Sequence, residues 1–259
     1  MCKEEGYMIE TINLTKKYGE FVAVNHLNLH VKTGEIYGFL GPNGAGKTTT
    51  IRMLTGLLRP TSGKVLIDGI DMAENPIKAK ARIGLIPDTP SVYHKLTGNE
   101  FLDFVAAIYE IPLRESRRKI KEILEMLDLL HKANELIETY SHGMKQKIVI
   151  AAALLHDPSV LILDEPTVGL DPKSAKLIKD LLKAFAYKGK TVFMSTHILE
   201  IAERMCDRVG IIDYGELIAE GTIEELRKKV GEGEGSLEDL FLKLTGGEDT
   251  KDLLKFLEE

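Results

Sequence analysis

Gly41-Pro42-Asn43-Gly44-Ala45-Gly46-Lys47-Thr48-Thr49 follows directly on the apolar run Ile36 to Leu40. A run of that length reads as a buried strand, and it delivers the chain to a turn of small residues. With no bulky side chains in the way, successive backbone N–H groups converge on one anion. The helix that follows aims its positive dipole end at the same point. Lys47 then reaches the outer phosphates, and the Thr48 hydroxyl is placed to ligate Mg²⁺. The stretch predicts a nucleoside triphosphate site. A glycine-rich turn before an ordinary helix is the plainer reading, and the strand in front weighs against it.

Outward from this loop, Leu27, Leu29 and Val31 alternate with Asn28, His30 and Lys32, which predicts a strand with one wet face. Ile83 to Ile86, Val160 to Leu163 and Val192 to Met194 read as short strands buried on both faces. Helical patterns separate several of them, so a largely parallel α/β sheet is expected. Between Pro87 and Asp157 the pattern turns helical. Thr97 and Glu100 have capping-box spacing, and Ile120, Ile123, Leu124 and Leu127 make one helical stripe. Phe101, Leu102, Phe104, Val105, Ile108 and Tyr109 spread too widely around a helix to bury one stripe. Ile211 to Ala219 reads as a hairpin turning at Tyr214-Gly215. Thr222 and Glu225 have the spacing to cap another helix. A Gly/Glu-rich linker at 231–235 and a helical face of Leu237, Leu240, Phe241 and Leu244 follow.

The chain has 259 residues and a formal net charge of −6. From Glu216 onward there are 13 acids against 6 bases, which leaves the first 215 residues near +1. An acidic end speaks against a nucleic-acid partner, which calls for a basic stripe or tail. No apolar run approaches the ~18 residues that cross a bilayer, and the charged start lacks the core of a signal peptide. Two cysteines are too few for a disulfide framework. A cytoplasmic protein is expected.

Val160-Leu161-Ile162-Leu163 ends in Asp164-Glu165. Beside a phosphate loop, Asp164 is suited to hold Mg²⁺ through water, and Glu165 to orient and deprotonate the water that attacks the γ-phosphate. Upstream, Ser141 in Tyr140-Ser141-His142-Gly143-Met144-Lys145-Gln146 is a good helix N-cap. Taken in order, these stretches resemble the ABC-type ATPases. Ser141, His142 and Gly143 sit at that family's signature, commonly Leu-Ser-Gly-Gly-Gln. Val168-Gly169-Leu170-Asp171 is similar to its interface loop, His197 to its switch histidine, and Tyr18 to the aromatic that stacks on adenine. The wording is most like the exporter branch that includes drug and antibiotic transporters.

The resemblance implies a P-loop NTPase core with an N-terminal antiparallel β region and an inserted helical subdomain at about 89–157. It implies an ATPase domain over 1–221 and an acidic, mainly helical extension over 222–259. It further implies an ATP-hydrolysing subunit that uses ATP and Mg²⁺ and pairs head to tail with a second copy or a homologue. The signature of one chain would close on the γ-phosphate of the other, with Asp171 at the shared interface. The pair would drive a separate permease, peripheral to the inner face of the membrane. Two departures stand out. Asp88 replaces the family's usual glutamine after Ile83-Gly84-Leu85-Ile86-Pro87, and Gln146 is the only glutamine in the chain. Asp88 is a candidate to approach Mg²⁺ or the attacking water. His142 stands where the signature commonly has glycine. The rival readings are a soluble ABC-type ATPase acting on nucleic acid or the ribosome, and a P-loop switch protein or kinase. The first usually needs paired domains or a coiled-coil insertion, and the second does not account for the Ser141 motif.

Overall fold

The computed structural model describes residues 6–166, 170–229, 241, 242 and 245. The chain opens with strands β1 (Tyr7–Tyr18), β2 (Phe21–Lys32) and β3 (Ile36–Leu40), then helix α1 (Lys47–Leu54). β4 (Ser62–Ile67), β5 (Ile70–Asp71), α2 (Pro76–Lys80) and β6 (Ile83–Ile86) follow. Three helices come next: α3 (Gly98–Ile108), α4 (Leu113–Met126) and α5 (His142–Leu155). The chain then returns to alternation with β7 (Val160–Asp164), α6 (Pro172–Tyr187), β8 (Thr191–Thr196) and α7 (Leu199–Met205). It closes with β9 (Arg208–Asp213), β10 (Glu216–Gly221) and α8 (Ile223–Lys229).

Two sheets result. The larger has the order β10-β9-β3-β8-β7-β6, parallel throughout except for the antiparallel β9–β10 hairpin. The smaller is antiparallel, in the order β2-β1-β4-β5. The apolar runs in β3, β7 and β8 are continuous because both faces of the large sheet are covered. Ile36, Leu161, Leu163, Val192 and Met194 face α3 to α7, while Tyr37, Phe39, Ile162 and Phe193 face α1 and the small sheet. At the outer end of β3, Arg208 donates to Glu35 (3.1 Å) and Glu220 (2.8 Å), which ties the hairpin to the central strand.

No residue period picks out β1; only the family resemblance implied an antiparallel β region there. Its register shifts between Thr11 and Leu14, where Asn13 takes φ 47°, so buried residues fall in doublets instead of alternating. The bulge hides the period that identifies a strand.

Both capping boxes form as their spacing predicts: Thr97 and Glu100 exchange hydrogen bonds at the start of α3, and Thr222 and Glu225 at α8. The linker at 231–235 and the face of Leu237, Leu240 and Leu244 lie outside the described residues, as do Val168 and Gly169. Phe241 packs on Leu40, Ala202, Val209, Ile211 and Leu226. Among the described residues, no helix is long and apolar enough to cross a membrane.

Candidate functional site

β3, β8 and β7 are neighbours in the sheet and run the same way. Their carboxyl ends therefore open on one crevice, where open α/β sheets bind ligands. β3 delivers the phosphate loop, β7 delivers Asp164 and Glu165, and β8 delivers His197.

The loop needs its glycines. A Cβ on Gly41 would stand 2.4 Å from the Ile212 carbonyl oxygen, and one on Gly46, at φ 109°, 2.6 Å from the Ala23 oxygen. Ala45 is buried behind the loop and its N–H donates to the Pro42 carbonyl (3.2 Å). Lys47 is only 7% exposed, and its Nζ donates to the carbonyls of Gly41 (2.7 Å) and Pro42 (3.1 Å). Burial pulls its pKa below the ordinary lysine value, against the opposing pull of Glu165 and Asp164. The ammonium lies 3.9 Å from Glu165 Oε1.

One cavity of about 430 Å³ gathers most of the residues singled out in the sequence. Tyr18, Asn43, Gly44, Gly46, Lys47, Thr48 and Thr49 line it, and so do Asp88, Asp164 and Glu165. Tyr18 is half-exposed at the rim, beside Phe21, which the sequence reading passed over. An aromatic three residues after Tyr18 was the available clue.

Glu165 has an uncommon backbone, with φ 49°. Its Oε1 accepts from His197 Nδ1 (2.9 Å), whereas its Oε2 is buried and has no hydrogen-bond partner among the described residues. Asp164, 4% exposed, accepts a 2.5 Å hydrogen bond from Ser195 Oγ. Ser195 is wholly buried in β8, and the sequence reading missed it because nothing local distinguishes it from any other strand serine. Among the described residues, Asp88 accepts only from the neighbouring Thr89 N–H at 2.7 Å, a local bond that ties the carboxylate to its own loop.

Ser141, His142, Gly143 and Asp171 do not line this cavity. Ser141 caps α5 by accepting from Met144 N–H (3.3 Å), and His142 is exposed on the first turn. Asp171 caps α6 by accepting from Ser174 N–H (3.0 Å). A Cβ on Gly143 would stand 3.8 Å from Asp171 Oδ2 and Ser174 Oγ, which is ordinary contact. The chain's own packing thus does not demand glycine there.

A glycine loop between a parallel strand and a helix, facing a buried Asp-Glu pair, defines a P-loop nucleoside triphosphatase. The family model described as "ABC transporter" matches residues 24–168, more than half of the chain. A bacitracin transport ATP-binding protein of Bacillus licheniformis is 47% identical over 223 residues, covering 86% of this chain and 72% of that protein. A linearmycin resistance ATP-binding protein of Bacillus subtilis is 42% identical, with the same coverage. A solved structure described as an ATP-binding subunit of an ABC transporter superposes with TM-score 0.86 at 33% identity. It covers 92% of this chain and 99% of that one. The dimeric post-hydrolysis state of the ATP-binding cassette MJ0796, bound to ADP and Pi, gives 0.76 at 31%, over 83% and 98%. The chain belongs to the ABC transporter family. It is an ATP-binding, ATP-hydrolysing transporter subunit, as the order of its motifs implied.

Proposed function

We propose that this chain powers a separate membrane permease for export, through ATP-driven head-to-tail pairing with a second copy or a homologue. The observation that carries the reading is the division of the site. Lys47, Asp164, Glu165 and His197 converge in one crevice, while the Ser141 cap and Gly143 stand apart on the surface. A second chain brings its α5 N-terminus to the open side of the nucleotide, and glycine at 143 leaves room for the phosphate to approach. Asp171, the partner-facing loop residue, sits beside that glycine. The export direction is supported by relatives named for bacitracin transport and linearmycin resistance. The working place is the inner face of the membrane, beside the permease.

Within this reading Tyr18 stacks on the adenine, and the phosphates lie along Gly41 to Thr49. Glu165, which lines the cavity, takes the proton of the attacking water on its carboxylate. His197 steadies Oε1 and faces the γ-phosphate from its own chain. The donor set also fits Mg²⁺. Thr48 and Asp164 offer hard oxygens, and among the described residues no group of three or more His, Cys, Asp or Glu forms a metal cage. That suits a cation held by one or two protein oxygens together with nucleotide phosphates. The bound ion supplies charge neutralisation; the chain supplies its orientation through Thr48 and Asp164.

Asp88 is a shorter, charged substitute for the family's glutamine at the edge of the same cavity. Asp88→Ala is expected to lower turnover and raise the Mg²⁺ concentration needed for half-maximal rate. A Mg²⁺ titration with both quantities unchanged removes Asp88 from the site.

The permease has a natural seat. A groove of about 390 Å³ runs between α3, α5 and the end of α1, with Leu57, Val105, Ile108 and Tyr109 among its walls. Phe101 and Leu102 are buried in the core, but Phe104 is 43% exposed and Ile108 61%. Val105 and Ile108 thus face the groove, Phe101 lies buried at its floor, and Phe104 is exposed beside Tyr93. Ile108→Glu is expected to weaken permease docking by about 2 kcal/mol or more, the size of an interface hot spot. Basal ATPase activity should persist. The check is co-purification of the membrane subunit alongside turnover; loss of folding assigns Ile108 to the core instead.

A further inference from the structure

Buried serines in apolar strands need a reason, because an unpaired hydroxyl there is costly. Ser195 is wholly buried in β8 next to Val192, Phe193 and Met194, which are also wholly buried. Its hydroxyl has two partners, and both belong to the hydrolytic pair. The Oγ–H donates to Asp164 Oδ1 at 2.5 Å, and the same oxygen accepts from Glu165 N–H at 3.2 Å. The direction of this relay is fixed by chemistry. An amide N–H can only donate and a carboxylate can only accept, so the single hydroxyl proton points to Asp164.

We propose that Ser195 is a positioning residue for hydrolysis, locking the Asp164 carboxylate and the Glu165 backbone into one geometry. This rests on the roles given to those two residues above. The lock acts at two places. With Oδ1 engaged, the Asp164 carboxylate plane is set, and Oδ2 is the oxygen left for the metal and its water. With its N–H held by Ser195, shared with the Ser195 carbonyl at 3.3 Å, Glu165 keeps the left-handed turn at φ 49°. That conformation is strained for any residue with a Cβ and persists only when surrounding bonds over-determine it. It turns the Glu165 side chain off the strand and into the crevice, where Oε1 meets His197.

The test compares Ser195→Thr with Ser195→Val, which have nearly the same shape and differ in the hydroxyl. Each is read for ATP turnover, for Mg²⁺-dependence of fluorescent-ATP binding, for binding without metal, and for melting temperature. Outer-shell partners of this kind change metal affinity or activity by about 10- to 100-fold. Ser195→Val should lose that much in turnover and in the Mg²⁺ response, with metal-free binding retained, and Ser195→Thr should recover most of both. Equal Mg²⁺ responses in the two variants overturn the proposal. So does a loss confined to melting temperature. Where Val does not fold, Ser195→Ala replaces it in the same comparison. Glu165→Gln serves as the control: if it hydrolyses ATP normally, the underlying site assignment fails, and if it is inactive while Ser195→Val is normal, only the role of Ser195 fails.

Discussion

Replacing Glu165 with glutamine is expected to lower ATP turnover by about 10²- to 10⁴-fold, the usual contribution of a positioned general base. The substitution keeps the shape of the side chain, and an amide oxygen still accepts from His197 Nδ1. What disappears is a carboxylate proton acceptor and a negative charge facing the γ-phosphate. The first loss stops the chemistry. The second removes repulsion between the site and its nucleotide, so ATP remains bound and continues to join two chains. In the wild type, hydrolysis and phosphate release remove the charge that holds the pair together. The variant should therefore accumulate as an ATP-loaded dimer. Light scattering with ATP and Mg²⁺, together with the rate of phosphate release, checks both halves. Trapped ATP on monomers alone would falsify the pairing mechanism.

Lys47→Met should abolish useful ATP affinity. The ammonium is nearly buried, and its two carbonyl partners at the loop, Gly41 and Pro42, hold it beside the site where the outer phosphates belong. Truncating one member of a buried, hydrogen-bonded charge pair costs about 2–5 kcal/mol, or roughly 30- to 5,000-fold in Kd. Methionine preserves most of the apolar stem, so the fold should survive. A pH signature accompanies the loss. In the free chain, burial pulls the Lys47 pKa down, more than Glu165 and Asp164 restore it. Bound phosphates favour the charged form and raise it again, so above the depressed pKa each binding event takes up a proton. Wild-type affinity should fall as pH rises through that depressed value, before an ordinary lysine would titrate. Lys47→Met should show no such alkaline decline; an identical slope in both proteins assigns the titration elsewhere.

Much of the crevice that gathers the phosphate loop and the Asp164–Glu165 pair was legible along the chain because its parts are local. Gly41 to Thr49 is a contiguous loop whose glycine positions answer to close backbone contacts, at Ile212 for Gly41 and at Ala23 for Gly46. Val160 to Glu165 is a buried strand ending in its own acids. The parallel order of the large sheet follows from apolar runs separated by helices, and the structure has that order. The α3 residues were legible only as too apolar for one stripe, since which of them meet the core depends on where α5 packs.

Sequence by itself thus determined the nucleotide chemistry, the class of fold and the family, because strand period, turn residues and motif spacing are properties of short segments. Tertiary structure alone decided three things: how β1 pairs around its bulge, that Phe104 and Ile108 face outward, and that Ser195 holds the Asp164 carboxylate and the Glu165 backbone N–H. Each depends on a neighbour brought close only by the tertiary fold. Asp164 and Ser195 are paired only because β7 and β8 lie side by side. No pattern within either strand encodes the meeting of a hydroxyl with a carboxylate across them.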